Sequence, residues 1–120
     1  MKTSYEKGLL AEIIAVRNLK NSGYDILSRR LRTPYGEIDI LAKYKNSIIA
    51  VEVKQRKTLS KARECIKPYQ MKRIYNTLLF LISSGDVLDI KDVASYRIDV
   101  ICLDRAGNYE HIKNAFSCYE

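Results

Sequence analysis

The sequence predicts a mixed α/β fold, and three features carry that prediction. Apolar residues recur at helical spacing near the start, two short runs of alternating or β-branched apolar residues follow, and a second helical pattern begins near Pro68. A chain of 120 residues suits one compact domain with a single core, so residues 1–120 are expected to form a single domain. Hydrophobic content of 47% with 29% charged residues argues against disorder.

The elements follow in order. Residues 2–21 read as a helix, with Tyr5, Leu9, Ile13 and Val16 as its apolar face and Gly23 as its stop. Tyr24 to Leu31 reads as a strand that ends in the turn-rich Thr33-Pro34-Tyr35-Gly36. Gly36 to Ala42 and Ile48 to Lys54 read as adjacent strands joined through Lys45-Asn46-Ser47. A basic loop comes next, then a helix opening near Pro68, which a first helical turn tolerates. That helix turns Met71, Ile74, Leu78, Leu81 and Ile82 inward and ends near Ser83-Ser84-Gly85. Ser95 to Leu103 is a late strand, and Asn108 to Lys113 adds an edge strand. The order is αβββαββ.

Ionisable residues stand inside the two central strands. Side chains alternate across a strand, so Glu52 and Lys54 share one face while Val51 and Val53 take the other. Asp39 lies in the neighbouring strand between Ile38 and Ile40. The plainer reading is a solvated hairpin face with a cross-strand Asp–Lys pair. The sharper reading is a hard-cation site, because buried carboxylates are costly without compensation. Two carboxylates from adjacent strands can hold Mg²⁺ or Mn²⁺ while leaving positions for water and a phosphate oxygen. A lysine two residues after the Glu can then orient water or neutralise phosphate charge. Glu12 falls three residues after Leu9 and four before Val16, on or beside the face that meets the sheet. It either reaches water at the edge or turns its carboxylate toward the same site.

Asp39 followed by Glu52-Val53-Lys54 resembles the active-site signature of the PD-(D/E)XK nuclease superfamily. More closely, the chain resembles the YraN-like family, small endonuclease-like proteins distantly similar to archaeal Holliday junction resolvases. Gly8, Glu12, Leu19 and Gly23-Tyr24 fit that pattern at the first helix. Gly36-Glu37-Ile38-Asp39 and Val51-Glu52-Val53-Lys54 with Arg56 fit its central strands, Lys72 its second helix and Arg97-Ile98-Asp99-Val100 its late strand. Arg30 departs from it, standing where an asparagine is expected, and residues 57–62 lack the expected glycines. The resemblance implies a restriction-endonuclease-like core with a central mixed sheet flanked by helices. It implies that Asp39 and Glu52 hold the metal with the Val53 carbonyl, that Glu12 completes or tunes the site, and that Lys54 is catalytic.

Charge points to the partner. The chain carries 21 Lys and Arg against 14 Asp and Glu, a net charge of +7. From residue 54 to 73 the only acid is Glu64, against Lys54, Arg56, Lys57, Lys61, Arg63, Lys67, Lys72 and Arg73. Arg29, Arg30 and Arg32 form a second cluster. Such runs often serve solubility alone. Here both clusters flank the candidate site in sequence, which favours a polyanion, and DNA is the expected partner. Arg30, Arg32, Arg56, Lys57, Lys61 and Arg63 are the expected contacts. Gln70 and Lys72 join them in the first turn of the second long helix, where a phosphate can meet helix N–H groups. Lys2 and Lys7 are expected at the far end of the first helix, away from the substrate path.

Other classes find little support. Cys65, Cys102 and Cys118 are odd in number and widely spaced, against a disulfide framework or a zinc site. The single histidine, His111, reads as a surface or packing residue, and Arg97 with Asp99 as a structural pair or as substrate-side support, not as catalytic. The longest apolar run, Leu78 to Ile82, is too short to cross a bilayer, and no signal-peptide core is evident, so a cytoplasmic protein is expected. The expected function is metal-dependent hydrolysis of DNA phosphodiesters, structure-selective by fold analogy, with a homodimer as one arrangement. The alternative is a non-catalytic nucleic-acid-binding module, and a third reading is a protein-interaction domain.

Overall fold

A computed structural model describes residues 3–84 and 93–116; Lys2, Gly85 and Cys118 fall outside them. The elements are α1 (Ser4–Asn21), β1 (Asp25–Thr33), β2 (Gly36–Tyr44), β3 (Ser47–Gln55), α2 (Leu59–Glu64), α3 (Pro68–Ser84), β4 (Ser95–Leu103) and β5 (Tyr109–Ile112). The five strands form one sheet in the order β1-β2-β3-β4-β5. β1, β2 and β3 are antiparallel neighbours, β3 and β4 are parallel, and β4 and β5 are antiparallel. The parallel step needs a crossover, and α2 with α3 supplies it. The fold is therefore mixed α/β with helices flanking a central sheet.

Each boundary has a local cause. Thr3 caps α1 by accepting the Glu6 N–H at 3.1 Å, satisfying a donor the helix cannot pair internally. Gly23, at φ 91°, takes the left-handed conformation just past the helix and turns the chain into β1. Gly36, at φ 152°, begins β2, and a Cβ there would meet Arg73 and Thr77 side-chain atoms of α3 at 3.3 Å. Tyr44 pairs with Ser47 across the two-residue turn Lys45-Asn46.

The sheet is buried on both faces. On one, Ile38, Leu41, Ile48 and Ala50 pack with Met71, Ile74, Leu78 and Leu81 of α3. On the other, Ile40, Ala42, Ile49 and Val51 pack with Ala11, Ala15 and Leu19 of α1. The inward face expected for α3 is confirmed, although Ile82 is only partly buried. That of α1 is corrected in part: Tyr5 and Ile13 are exposed, Leu9 is half-buried, Val16 packs partly buried against the core, and the fully buried stripe is Ala11, Ala15 and Leu19. Alanines let the helix axis lie close to the sheet, which the bulkier stripe would prevent. The expected basic loop is likewise partly helical. Thr58 accepts the Lys61 N–H at 3.1 Å and starts α2, because a Thr cap followed by good helix formers suffices for a short turn.

Candidate functional site

Asp39 sits where the sheet opens. The β2–β3 ladder runs from Tyr44↔Ser47 to Ile40↔Val51 and no further, while β1 stays paired with β2 as far as Thr33↔Gly36. Past Ile40, the Asp39 side chain replaces a backbone carbonyl: its Oδ2 accepts the Val53 N–H at 3.0 Å. Ile38 and Ile40, two residues apart, pack on opposite faces of the sheet, so β2 is locally irregular here. Opposite Asp39, between the pairs Arg29↔Ile40 and Leu31↔Ile38, Arg30 adopts φ 53°. Asparagine accepts that left-handed backbone more readily than arginine does.

The opening leads into a cavity of about 560 Å³ whose lining includes Glu12, Asp39, Glu52, Val53, Arg56 and Lys57. Its position follows from topology. Because β3 and β4 are parallel, Gln55 and Leu103 end together, and the Arg56 N–H donates to the Leu103 carbonyl at 3.0 Å. The first turns of α1 cross this end and contribute Ser4, Lys7 and Gly8. Loops at the carboxyl ends of parallel strands are a common place for ligands in open α/β sheets.

Two carboxyl groups dominate its electrostatics. Burial, reinforced by the neighbouring Asp39 charge, pushes Glu52 up to about 8. Burial also raises Asp39, against the opposing pull of the Val53 N–H. Lys54 is 7% exposed, and its Nζ donates to Gln70 Oε1 at 3.3 Å and Glu52 Oε1 at 3.5 Å. Glu12 is turned toward cations: Arg30 Nε lies 3.3 Å from both of its oxygens, and Arg29 Nη2 3.6 Å from one. Among the described residues, no three His, Cys, Asp or Glu side chains are gathered closely enough to hold a metal ion by themselves. The cavity thus holds the Asp39 and Glu52 carboxyl groups side by side, while the Glu12 carboxylate on its lining is paired with Arg29 and Arg30.

The structure gathers Glu12, Asp39, Glu52, Val53, Arg56 and Lys57 around one cavity and ties Lys54 and Gln70 to its acidic pair. It does not bring every expected contact there. Arg32 pairs with Glu37 at 2.7 Å, Arg63 pairs with Glu110 at 2.9 Å, and Lys61 and Lys72 are exposed on α2 and α3. None of these four lines the cavity. Lys7 corrects an expectation, since it lines the cavity instead of lying apart from it. Arg105 also lines the cavity and is not among the expected contacts. The signal for Lys7 was its place beside Gly8, one helical turn before Glu12. That for Arg105 was its position just past the strand that pairs with β3.

Arg97 and Asp99 pair as expected, with Arg97 Nε donating to Asp99 Oδ1 at 2.9 Å. His111 joins them, its Nε2 2.8 Å from Asp99 Oδ2. Cys65 and Cys102 are free thiols. No helix among the described residues is long and apolar enough to cross a membrane.

The chain is similar to a UPF0102 protein of Rhodopseudomonas palustris (strain BisA53), 46% identical over 114 residues, covering 94% of this chain and 85% of that one. A UPF0102 protein of Granulibacter bethesdensis is 42% identical over 109 residues, 91% of this chain and 67% of its own. One of Sulfurihydrogenibium sp. is 39% identical over 114 residues, 93% and 95% respectively. The profile described as "Uncharacterised protein family UPF0102" matches residues 11–103, a span that contains Glu12, Asp39, Glu52 and Lys54. The chain belongs to the UPF0102 family.

Proposed function

We propose that this protein is a Mg²⁺- or Mn²⁺-dependent endonuclease that hydrolyses DNA phosphodiester bonds. One observation supports this most: the half-buried Asp39 and Glu52, both shifted toward the protonated form, meet at a cavity rimmed by Lys7, Arg56, Lys57 and Arg105. Two adjacent buried carboxylates repel each other, and a hard divalent cation is what relieves that repulsion. The residues present fit such a cation: Asp39 and Glu52 supply hard oxygens, and the Val53 carbonyl lies next to the N–H that Asp39 accepts. When bound, the cation supplies Lewis-acid stabilisation of the charge that develops on phosphate.

The chain's own groups do the rest. Lys54, held between Glu52 and Gln70, has a fixed ammonium that positions a water or hydroxide for in-line attack. Arg56, Lys57, Lys7 and Arg105 seat the flanking phosphates. We further infer a restriction-endonuclease-like arrangement, supported by the helix, the three antiparallel strands and the helical crossover to a parallel strand.

The test is a panel of labelled duplex, single-stranded, flap and branched DNAs incubated with Mg²⁺ or Mn²⁺, beside an Asp39→Ala control. Cleavage of any member that needs both metal and Asp39 is the expected result. Salt-sensitive binding with no cleavage on any member would replace the proposal with the binding-module reading.

A further inference from the structure

We infer that Arg30 is a positioning residue that holds the Glu12 carboxylate off the Asp39–Glu52 pair and so limits the carboxylates a bound cation meets. This rests on the cation-site reading above. Glu12 lines the same cavity as Asp39 and Glu52, and its side chain is only 12% exposed. A carboxylate so withdrawn from water needs a partner. Arg30 provides one, with its Nε 3.3 Å from both oxygens of Glu12. Arg29 adds a longer contact at 3.6 Å.

Two further features fix Arg30 in this role. Its φ of 53° lies in the left-handed region, which is unfavourable for an arginine inside a strand unless its surroundings hold it there. Its guanidinium also stands 5.7 Å from the Tyr5 ring centroid, and Nη1 is 3.5 Å from the Tyr5 hydroxyl. Tyr5 and Glu12 are both on α1, so Arg30 fastens that helix to the irregular stretch of β1 opposite Asp39. A cation at Asp39 and Glu52 would attract Glu12, and the Arg30 contact opposes that attraction. Release of the clamp turns a two-carboxylate site into a three-carboxylate one.

The test is Mn²⁺ titration of the full chain by calorimetry, with no DNA present. It compares wild type, Arg30→Asn, Arg30→Gly, Glu12→Gln, the Arg30→Asn/Glu12→Gln double variant and Asp39→Ala. Asparagine tolerates the left-handed backbone, which offsets part of the stability lost with the Glu12 contact, so Arg30→Asn should remain folded, as its melting transition will show. It should tighten Mn²⁺ binding by about tenfold, as expected for coupling between neighbouring charges. Glu12→Gln in the wild-type background should change affinity by less than about threefold, because Glu12 is committed to the arginines. The same change in the Arg30→Asn background should erase the gain. A gain that survives Glu12→Gln would mean a general charge effect and overturn the inference, as would equal affinities for wild type and Arg30→Asn. Arg30→Gly, which takes the same backbone with no side chain, must reproduce the gain. If Asp39→Ala leaves wild-type affinity intact, the cation-site reading itself fails. If it abolishes binding while Arg30→Asn changes nothing, only the role of Arg30 fails.

Discussion

Glu52 departs furthest from ordinary acid behaviour in the site, and the cause is burial followed by the charge of Asp39. A carboxyl raised from 4.5 to about 8 on folding contributes stability that is complete below about pH 4.5 and lost as pH rises through 8. The metal-free protein should therefore lose melting temperature from about pH 5 to about pH 8.5, and Glu52→Gln should flatten that loss and melt higher at the alkaline end. Calorimetric scans across that range read both effects, and a wild-type stability that climbs steadily to the alkaline end would contradict them. The same shift predicts proton release. At neutral pH the pair retains a proton that a divalent cation must displace, so Mn²⁺ binding should liberate about one proton near pH 7 and almost none near pH 9.5. Titration in buffers of different ionisation enthalpy measures that count directly. Lys54 gives a different kind of expectation. Its ammonium is bonded to both Gln70 and Glu52, so Lys54→Ala should lower turnover strongly while changing DNA affinity little. Lys54→Arg should not restore turnover, because a planar fork cannot replace a compact ammonium at a fixed position. Recovery in the arginine variant would reduce Lys54 to a phosphate contact.

Among the elements, β3 was the most legible and α1 the least. Alternation along Ile48 to Lys54 separated the faces correctly, because that strand is regular and period two survives tertiary packing. β2 breaks the pattern: Ile38 and Ile40 share parity yet pack on opposite faces, and that irregularity opens the sheet at Asp39. No period announces such a break. In α1 the large apolar residues point to a stripe of which Tyr5 and Ile13 are exposed, since a close helix–sheet contact selects Ala11 and Ala15 by size and not by hydrophobicity. Residue spacing still put Glu12 at the margin of the right face. The short α2 changes what the basic segment can do, for it carries Lys61 and Arg63, neither of which lines the cavity that Arg56 and Lys57 line. Each phosphate contact on duplex DNA adds roughly 0.9 to the slope of log affinity against log salt. Neutralising Arg56 and Lys57 should thus flatten the slope by up to about 2, and the Lys61/Arg63 pair should flatten it less. Lys7→Ala should resemble a single cavity-rim loss. Lys20 and Lys45 are the suitable controls, being at the end of α1 and in the β2–β3 turn. Equal slopes for all pairs would remove the cavity rim as a DNA path while leaving the cation site untouched.

At the scale of the molecule, a buried acid that does not line the cavity, Asp99, binds separate parts together. Asp99 is fully buried on β4 and accepts from Arg97 of the same strand, from the backbone N–H of Asn114 and from the hydroxyl of Tyr24 just after α1. His111 of β5 reaches it at 2.8 Å. Tyr24 in turn stacks on Tyr44 at the end of β2, with ring centroids 4.6 Å apart. Four residues from three segments thus converge on one carboxylate. Sequence spacing could pair Arg97 with Asp99, both on one strand face, but Tyr24 and His111 are distant in sequence and meet it only through the sheet order. Burial alone would raise Asp99, yet hydrogen bonds from His111, Arg97 and the Asn114 N–H outweigh it and hold the carboxyl below its usual range. The sign is opposite to that of Glu52. A depressed carboxyl contributes stability above its ordinary pKa and loses it as pH falls through the lower folded value. Asp99 therefore sets the acid limb of the stability curve while Glu52 sets the alkaline one. Asp99→Asn keeps the size but removes the charge that Arg97 faces, and should cost about 3 kcal/mol at neutral pH, the order found when a buried pair loses one partner. It should also flatten the acid limb and leave the alkaline limb unchanged. Wherever the variant remains folded, its Mn²⁺ affinity should match wild type, because Asp99, although opposite Val51 of β3, does not line the cavity that Asp39 and Glu52 share. A variant of wild-type stability would deny Asp99 its anchoring role. Lost Mn²⁺ affinity in a folded variant would show instead that the anchor and the cavity are coupled through the β3–β4 pair.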